Sequence, residues 1–159
     1  WMALGSDGRG EQLFATDQDN LLIYEASEKS QAVLKDLPKS LLNRFLRFEQ
    51  GEHLEDIEKI DLTGRYYAVF CEKMGTYLDA IGIDKCKGHI MPAYDKWRGT
   101  LSKWERKIIG KVKYGAGDLS VLDINILMDC RFVAGDVLLA GKFLDMLHTL
   151  LPENGDILS

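Results

Sequence analysis

Leu4-Gly5-Ser6-Asp7-Gly8-Arg9-Gly10-Glu11-Gln12, followed closely by Thr16-Asp17-Gln18-Asp19-Asn20-Leu21-Leu22-Ile23-Tyr24, is the stretch that decides how this chain folds. Its first half places Gly5, Gly8 and Gly10 within six residues, the composition of a tight loop whose backbone approaches something closely. Its second half closes on Leu21-Leu22-Ile23-Tyr24, an apolar run of strand length. Alternate side chains of a strand share a face, so Asp17 and Asp19 project two carboxylates together, just ahead of the run that anchors them. Neighbouring carboxylates repel and raise each other's pKa unless a cation joins them. Hard oxygen ligands of this kind suit Mg²⁺, which takes one or two carboxylates together with substrate phosphates. The preceding glycine turn offers backbone N–H groups and the Ser6 hydroxyl to phosphate oxygens. A DxD pair is also an ordinary turn cap, and a Gly-Ser turn alone says little; their order and spacing together favour the metal and phosphate.

Outward from this stretch, the chain has 159 residues, 46% hydrophobic and 28% charged, with a formal net charge of −5. That is one domain's worth of sequence with enough apolar residues for a core, which excludes global disorder. The longest apolar runs, Tyr66–Cys71 and Val137–Ala140, are far too short to span a bilayer. No signal-peptide pattern is visible. Cys71, Cys86 and Cys130 are odd in number and lack CxxC spacing, so reduced thiols in a cytoplasmic protein are expected. The acidic balance argues against a dedicated nucleic-acid binder. Trp1-Met2-Ala3-Leu4 reads as a strand already under way, as expected of a piece of a longer protein. Residues 1–151 are expected to form one domain, with 152–159 as a tail.

Residues 2–5 are expected as a strand and 28–50 as helix interrupted at Pro38, with Leu41, Leu42, Phe45, Leu46 and Phe48 buried. Residues 49–61, with six acids against one lysine, read as a solvated stretch. Tyr66, Phe70, Met74, Tyr77 and Ile81 recur at helical spacing and predict an amphipathic helix ended by Gly82. Trp97, Leu101, Trp104 and Ile108 form a second such stripe. Ile124–Val133 reads as a buried strand crossed by Asp129 and Arg131, and 136–151 as a largely buried helix. Strands mixed with longer helices indicate an α/β or α+β domain.

GS-x-GR-x-E followed by TD-x-D-x-x-x-I resembles the signature of the nucleotidyltransferase fold, in particular the N-terminal domain of bacterial PII-protein uridylyltransferase. It is more similar still to a family of signalling nucleotidyltransferases found in chains with cyclic-nucleotide-binding and CBS domains. Leu78–Gly88, with its L-x-x-x-Gly and Cys-x-Gly elements, resembles a further family segment, as do Trp97-Arg98, Trp104 and the D-x-R-x-x-x-G-D run from Asp129 to Asp136. The resemblance implies a polymerase-beta-like mixed sheet with flanking helices. It also implies transfer of a nucleoside monophosphate from a triphosphate to an acceptor hydroxyl, with a tyrosine of a small signalling protein as one such acceptor. Position by position, it implies that Gly5, Ser6, Gly8, Arg9 and Arg131 bind nucleotide. Asp17, Asp19 and Asp129 would be the catalytic carboxylates holding two Mg²⁺ ions, with Mn²⁺ as a substitute, and Glu11 matches a family position of unassigned duty. For Asp129 and Arg131, a structural Asp–Arg pair is the equal alternative. Residues 25–64 are longer than the family's usual link and read as an insertion.

Lys96, Arg98, Lys103, Arg106, Lys107, Lys111 and Lys113 alternate with Trp97 and Trp104. The tryptophans share the helical stripe of Leu101 and Ile108, so a solvated basic face is favoured over nucleic-acid binding, with steering of nucleotide phosphates between the two. His53, His89 and His148 have no metal-ligand spacing, His148 reads as a packed or capping histidine, and Cys86 reads as a packing thiol. The rival to a transferase is a regulatory domain that binds a nucleotide without turning it over; a vestigial interaction domain is the third alternative.

Overall fold

The computed structural model describes residues 1–11, 17–46 and 61–151, with the backbone alone at 44–46. The expectations for Phe45, Leu46 and Phe48, for the acidic stretch before Asp61 and for the 152–159 tail fall outside the described side chains and residues.

Four short strands form one mixed sheet in the order β3-β2-β1-β4, where β1 is Met2–Ala3, β2 Asn20–Ile23, β3 Arg98–Gly99 and β4 Arg131–Phe132. The central β1 is antiparallel to both neighbours, with Met2 opposite Leu21 on one side and Phe132 on the other. β2 and β3 run parallel, Leu22 beside Arg98. Alternation along β1 and β2 divides the apolar side chains between two faces. Met2, Leu4, Leu21 and Ile23 enter the main core with Trp97, Trp104, Ile108, Leu127, Phe143 and Leu147. Leu22 and Tyr24 enter a smaller cluster with Cys71 on the opposite face. This mixed α/β sheet with flanking helices agrees with the expected fold class.

Most of the helices start where the sequence supplies a side-chain cap. α1 (Gly5–Gly8) is a single turn, α2 (Glu28–Lys35) is capped by Ser27, and α3 (Lys39–Leu46) follows Pro38. α4 (Leu62–Ala80) is capped by Asp61 and α5 (Leu101–Tyr114) by Thr100, α5 ending at Gly115 in the left-handed region. α6 (Val121–Met128) is capped by Ser120, and α7 (Val137–Leu150) by Asp136. The break expected at Pro38 is present, Leu42 is buried and Leu41 is exposed.

Four local expectations are corrected. Residues 5–8 are a helical turn rather than an open loop, and the first strand stops at Ala3. Ile124–Met128 is helical: an apolar run of this length does not distinguish strand from buried helix, and the reciprocal Ser120–Asp123 capping box nucleates α6. On α4 the stripe of Tyr66, Phe70, Tyr77 and Ile81 is exposed, Ile81 at 75%, while Cys71 and Gly75 face inward. A small residue suits this face: the buried Gln18 amide donates to the Gly75 carbonyl at 2.9 Å, and a Cβ on Gly75 would stand 3.2 Å from its Oε1. On α7, Leu138 is 74% exposed and His148 is also exposed, so burial is confined to Ala140, Phe143 and Leu147.

Candidate active site

The end of β1 and the approach to β2 lie side by side. The Leu4 N–H donates to the Asp19 carbonyl at 2.9 Å, so the chain leaves β1 directly against the DxD stretch. Gly5 then turns with φ +56°, and a Cβ on it would stand 3.3 Å from Asp19 Oδ2. Glycine alone satisfies both demands. Ser6 follows on α1, half-buried. The N–H groups of Gly8, Arg9, Gly10 and Glu11 are spent within the turn, on the carbonyls of Leu4, Gly5, Asp7 and Ser6. Gly8 packs against the Asp129 backbone so tightly that a Cβ would overlap its carbonyl. Its lack of a side chain is therefore a packing requirement.

The DxD stretch is held from its other side by residues 83–91. Asp17 bridges Asp84 in parallel register; the Gln18 N–H donates to the Asp84 carbonyl at 2.9 Å and the Asn20 N–H to that of Ile90 at 3.0 Å. Gln18 is buried, and its side-chain amide reaches Gly75 and Ile83. The strand is thereby fixed, and its alternation sends Asp17 and Asp19 the same way. Their carboxylate oxygens and the Cys86 sulfur all lie within 4.8 Å of one another. Burial above all pushes the Asp19 carboxyl up from its ordinary pKa. A hydrogen bond with the Cys86 thiol opposes this, and the like charges of Asp17 and Asp7 add to it.

These residues fit a divalent cation. Asp19 Oδ1 is buried and has no hydrogen-bond partner among the described residues, the condition of a carboxylate lacking its counter-charge. Two hard oxygen donors suit Mg²⁺ or Mn²⁺; the soft sulfur beside them was not foreseen as part of the group.

Asp129 is placed differently from the expectation. It is the C-cap of α6 and precedes β4, so it does not share a strand face with Arg131. Among the described residues it lies outside the Asp17–Asp19–Cys86 group. Its carboxylate is ion-paired with Arg9, whose Nε also holds Glu11 at 2.8 Å. Arg131 instead pairs with Asp7 of the glycine turn, donating to its Oδ1 at 3.1 Å and its carbonyl at 3.0 Å. In place of the Asp129–Arg131 pair offered as the structural alternative there are two crossed pairs, each tying the glycine turn to the segment around β4. Asp7, Cys86 and the residues 83–91 that support the DxD stretch were missed by sequence reasoning; the Cys-x-Gly element was the available signal for Cys86.

The basic segment around α5 is largely consumed by its own chain. Lys96 pairs with Asp123 at 2.6 Å, Lys103 with Asp95 at 2.8 Å, Arg98 with Asp95 at 3.4 Å and Lys107 with Asp118 at 3.4 Å. Trp97 and Trp104 are buried, so neither offers a stacking face. Among the described residues no helix is long and apolar enough to cross a membrane.

The site is thus a Gly-Ser turn at the end of a central strand, set against paired carboxylates leading into the neighbouring strand. The family model described as putative nucleotidyltransferase DUF294 matches residues 1–49 and 53–117, well over half of the sequence, and the chain belongs to that family. No curated protein and no solved structure matches it.

Proposed function

We propose that this domain is a Mg²⁺-dependent nucleotidyltransferase that moves a nucleoside monophosphate to an acceptor hydroxyl. The acceptor oxygen would bond to the α-phosphorus, the bond to the β-phosphate oxygen would break, pyrophosphate would leave, and the hydroxyl proton would pass to solvent. The observation that carries this reading is the convergence of Asp17 and Asp19 beside the Gly5 turn, with Asp19 Oδ1 buried and unpartnered. Asp17 and Asp19 would hold the metal, and Asp129, fixed by Arg9, would be the third carboxylate. Bound there, Mg²⁺ would offset charge on the triphosphate and leaving pyrophosphate. Gly5 and Ser6 would receive the phosphates at the start of the turn, since the later N–H groups are already engaged. Gly8 would allow the turn to seat on Asp129, and Arg9 and Arg131, both half-exposed, would direct their remaining guanidinium donors to phosphate. Catalysis of this kind rests on positioning and electrostatics.

The finer reading follows the family resemblance: a uridylyltransferase-like enzyme in the cytoplasm, acting on a tyrosine of a small signalling protein and governed by flanking CBS-type regulatory domains. Residues 25–64, through α2 and α3 packed on α4, would shape acceptor choice. The test is a thermal-shift series with each of the four ribonucleoside triphosphates, with and without Mg²⁺, on wild type and Asp17→Ala. Pyrophosphate release is followed in parallel. Ligand at a hundredfold excess over Kd stabilises the native state by about 2.7 kcal/mol. A Mg²⁺-dependent shift selective for one base, absent in the variant and accompanied by pyrophosphate, supports the transferase. Binding with no pyrophosphate supports the regulatory alternative, and no shift at all removes the nucleotide site.

A further inference from the structure

Cys86 lies beside the two carboxylates in a setting that directs its thiol. The chain turns sharply after it: the His89 N–H donates to the Cys86 carbonyl at 3.1 Å, and His89 has φ 60°, rare for a residue with a side chain. This turn wraps the sulfur. A Cβ on Gly88 would stand only 3.5 Å from Sγ, so the turn packs closely on the sulfur. The sulfur lies within 4.8 Å of the Asp17 and Asp19 carboxylate oxygens, and beside an ionised carboxylate a thiol has its S–H to offer as a hydrogen-bond donor. Left-handed strain at a residue such as His89 persists where surrounding structure requires it. Here it closes the cradle that aims the sulfur.

We propose that Cys86 is a positioning residue for the metal site: its thiol holds one side of the Asp19 carboxylate, so that the buried, unpartnered Oδ1 is presented to the cation together with Asp17. The inference rests on the metal-site reading above. A carboxylate on a single-bond hinge otherwise samples several rotamers, and fixing it before the cation arrives removes that ordering cost from binding. Partners that orient metal ligands contribute about ten- to a hundredfold in metal affinity. Packing alone predicts no such effect.

The experiment measures Mn²⁺ binding by the loss of the free-ion electron paramagnetic resonance signal, without nucleotide, for wild type, Cys86→Ala, Cys86→Val, Cys86→Ser and Asp19→Ala. Melting temperatures in chelator are recorded alongside. Cys86→Ala and Cys86→Val should each weaken Mn²⁺ binding by about tenfold or more. Cys86→Ser, which keeps a donor at that position, should restore it to near the wild-type value. Cys86→Val retains apolar bulk, so the comparison survives if Cys86→Ala folds poorly. Mn²⁺ affinity unchanged in Ala and Val overturns the proposal, even where their melting temperatures fall. Equal loss in Ser and Ala also overturns it, since the sulfur would then act as a ligand itself. Wild type that binds no Mn²⁺, like Asp19→Ala, defeats the metal reading and this inference with it; wild type that binds while Ala and Val match it defeats this inference alone.

Discussion

Gly8 and Asp129 are in backbone contact: the Cα of Gly8 sits where any Cβ would overlap the Asp129 carbonyl, although the two residues are far apart in sequence. Gly10, two residues on, has φ +70° and open space around the corresponding Cβ position. The two glycines therefore fail differently on substitution. Gly10→Ala should cost about 1–2 kcal/mol, the strain of a left-handed side chain. Gly8→Ala should cost more, because neither partner is a flexible side chain that can move aside, and should separate the turn from Asp129. Denaturant unfolding of the two variants checks the order; equal costs would contradict the contact.

Asp19 sets stability against function. Its carboxyl is raised from the ordinary value by burial first, with the charges of Asp17 and Asp7 adding to it. A raised acid is destabilising while ionised, so metal-free stability should increase as pH falls through the folded pKa toward the unfolded value of about 3.9. Asp19→Asn removes that charge. It should melt higher than wild type at neutral pH in chelator, yet gain nothing from added Mg²⁺ and support no transfer. Differential scanning calorimetry with chelator and with Mg²⁺ decides this; a lower melting temperature for the variant in chelator would refute it.

Asp123 shows the opposite sign. Burial pushes its carboxyl up, but the Lys96 ammonium and the Ser120 donors outweigh burial and leave it lowered. A lowered acid contributes stability above its unfolded value of about 3.9, and that stability is lost as pH falls through the folded value. Asp123→Asn should therefore be less stable than wild type near neutrality, with the gap closing below about pH 4. Melting curves across that range provide the measurement.

Ser120 opens α6 by accepting from the Asp123 N–H at 3.1 Å. Ser120→Ala should destabilise the domain by about 1 kcal/mol, the usual loss of such a cap. Ser120→Asp, which preserves an acceptor, should lose less. A negligible effect from alanine in denaturant titration would argue against the helix assignment at 121–128.

Arg131 joins Asp7 at a half-exposed position, so the pair is worth at most about 1 kcal/mol to folding. Its place beside the glycine turn gives it more weight in function. Arg131→Ala should reduce transfer by about tenfold or more, equivalent to about 1.4 kcal/mol of the barrier, while changing the melting temperature little. Paired kinetic and calorimetric measurements on one preparation separate the two effects.

Much of the candidate site was legible because its signals are local. Spacing alone puts Asp17 and Asp19 on one side of an extended chain, and Gly5 announces a backbone position closed to other residues. The α/β class followed from strand-length and helix-length apolar segments, and the burial of Trp104 and Ile108 from helical spacing. Local pattern failed where two structures share one composition. The apolar run after Ser120 suits a strand or a buried helix equally, and the cap four residues before its first isoleucine settles it. On α4 the larger side chains form the more obvious stripe, yet the Gln18 amide selects the face carrying Gly75, because only a small residue admits that contact.

By itself, then, the sequence determined the chemistry available to the first two strands: glycines able to turn, and carboxylates in step with a strand's alternation. Only the tertiary structure decided which distant groups complete them. Cys86 joins Asp19, Arg9 joins Asp129 and Arg131 joins Asp7 because strand pairing and the 83–91 segment bring separate parts of the chain together. Those partnerships depend on long-range packing and register, and neither is encoded in the spacing of neighbouring residues.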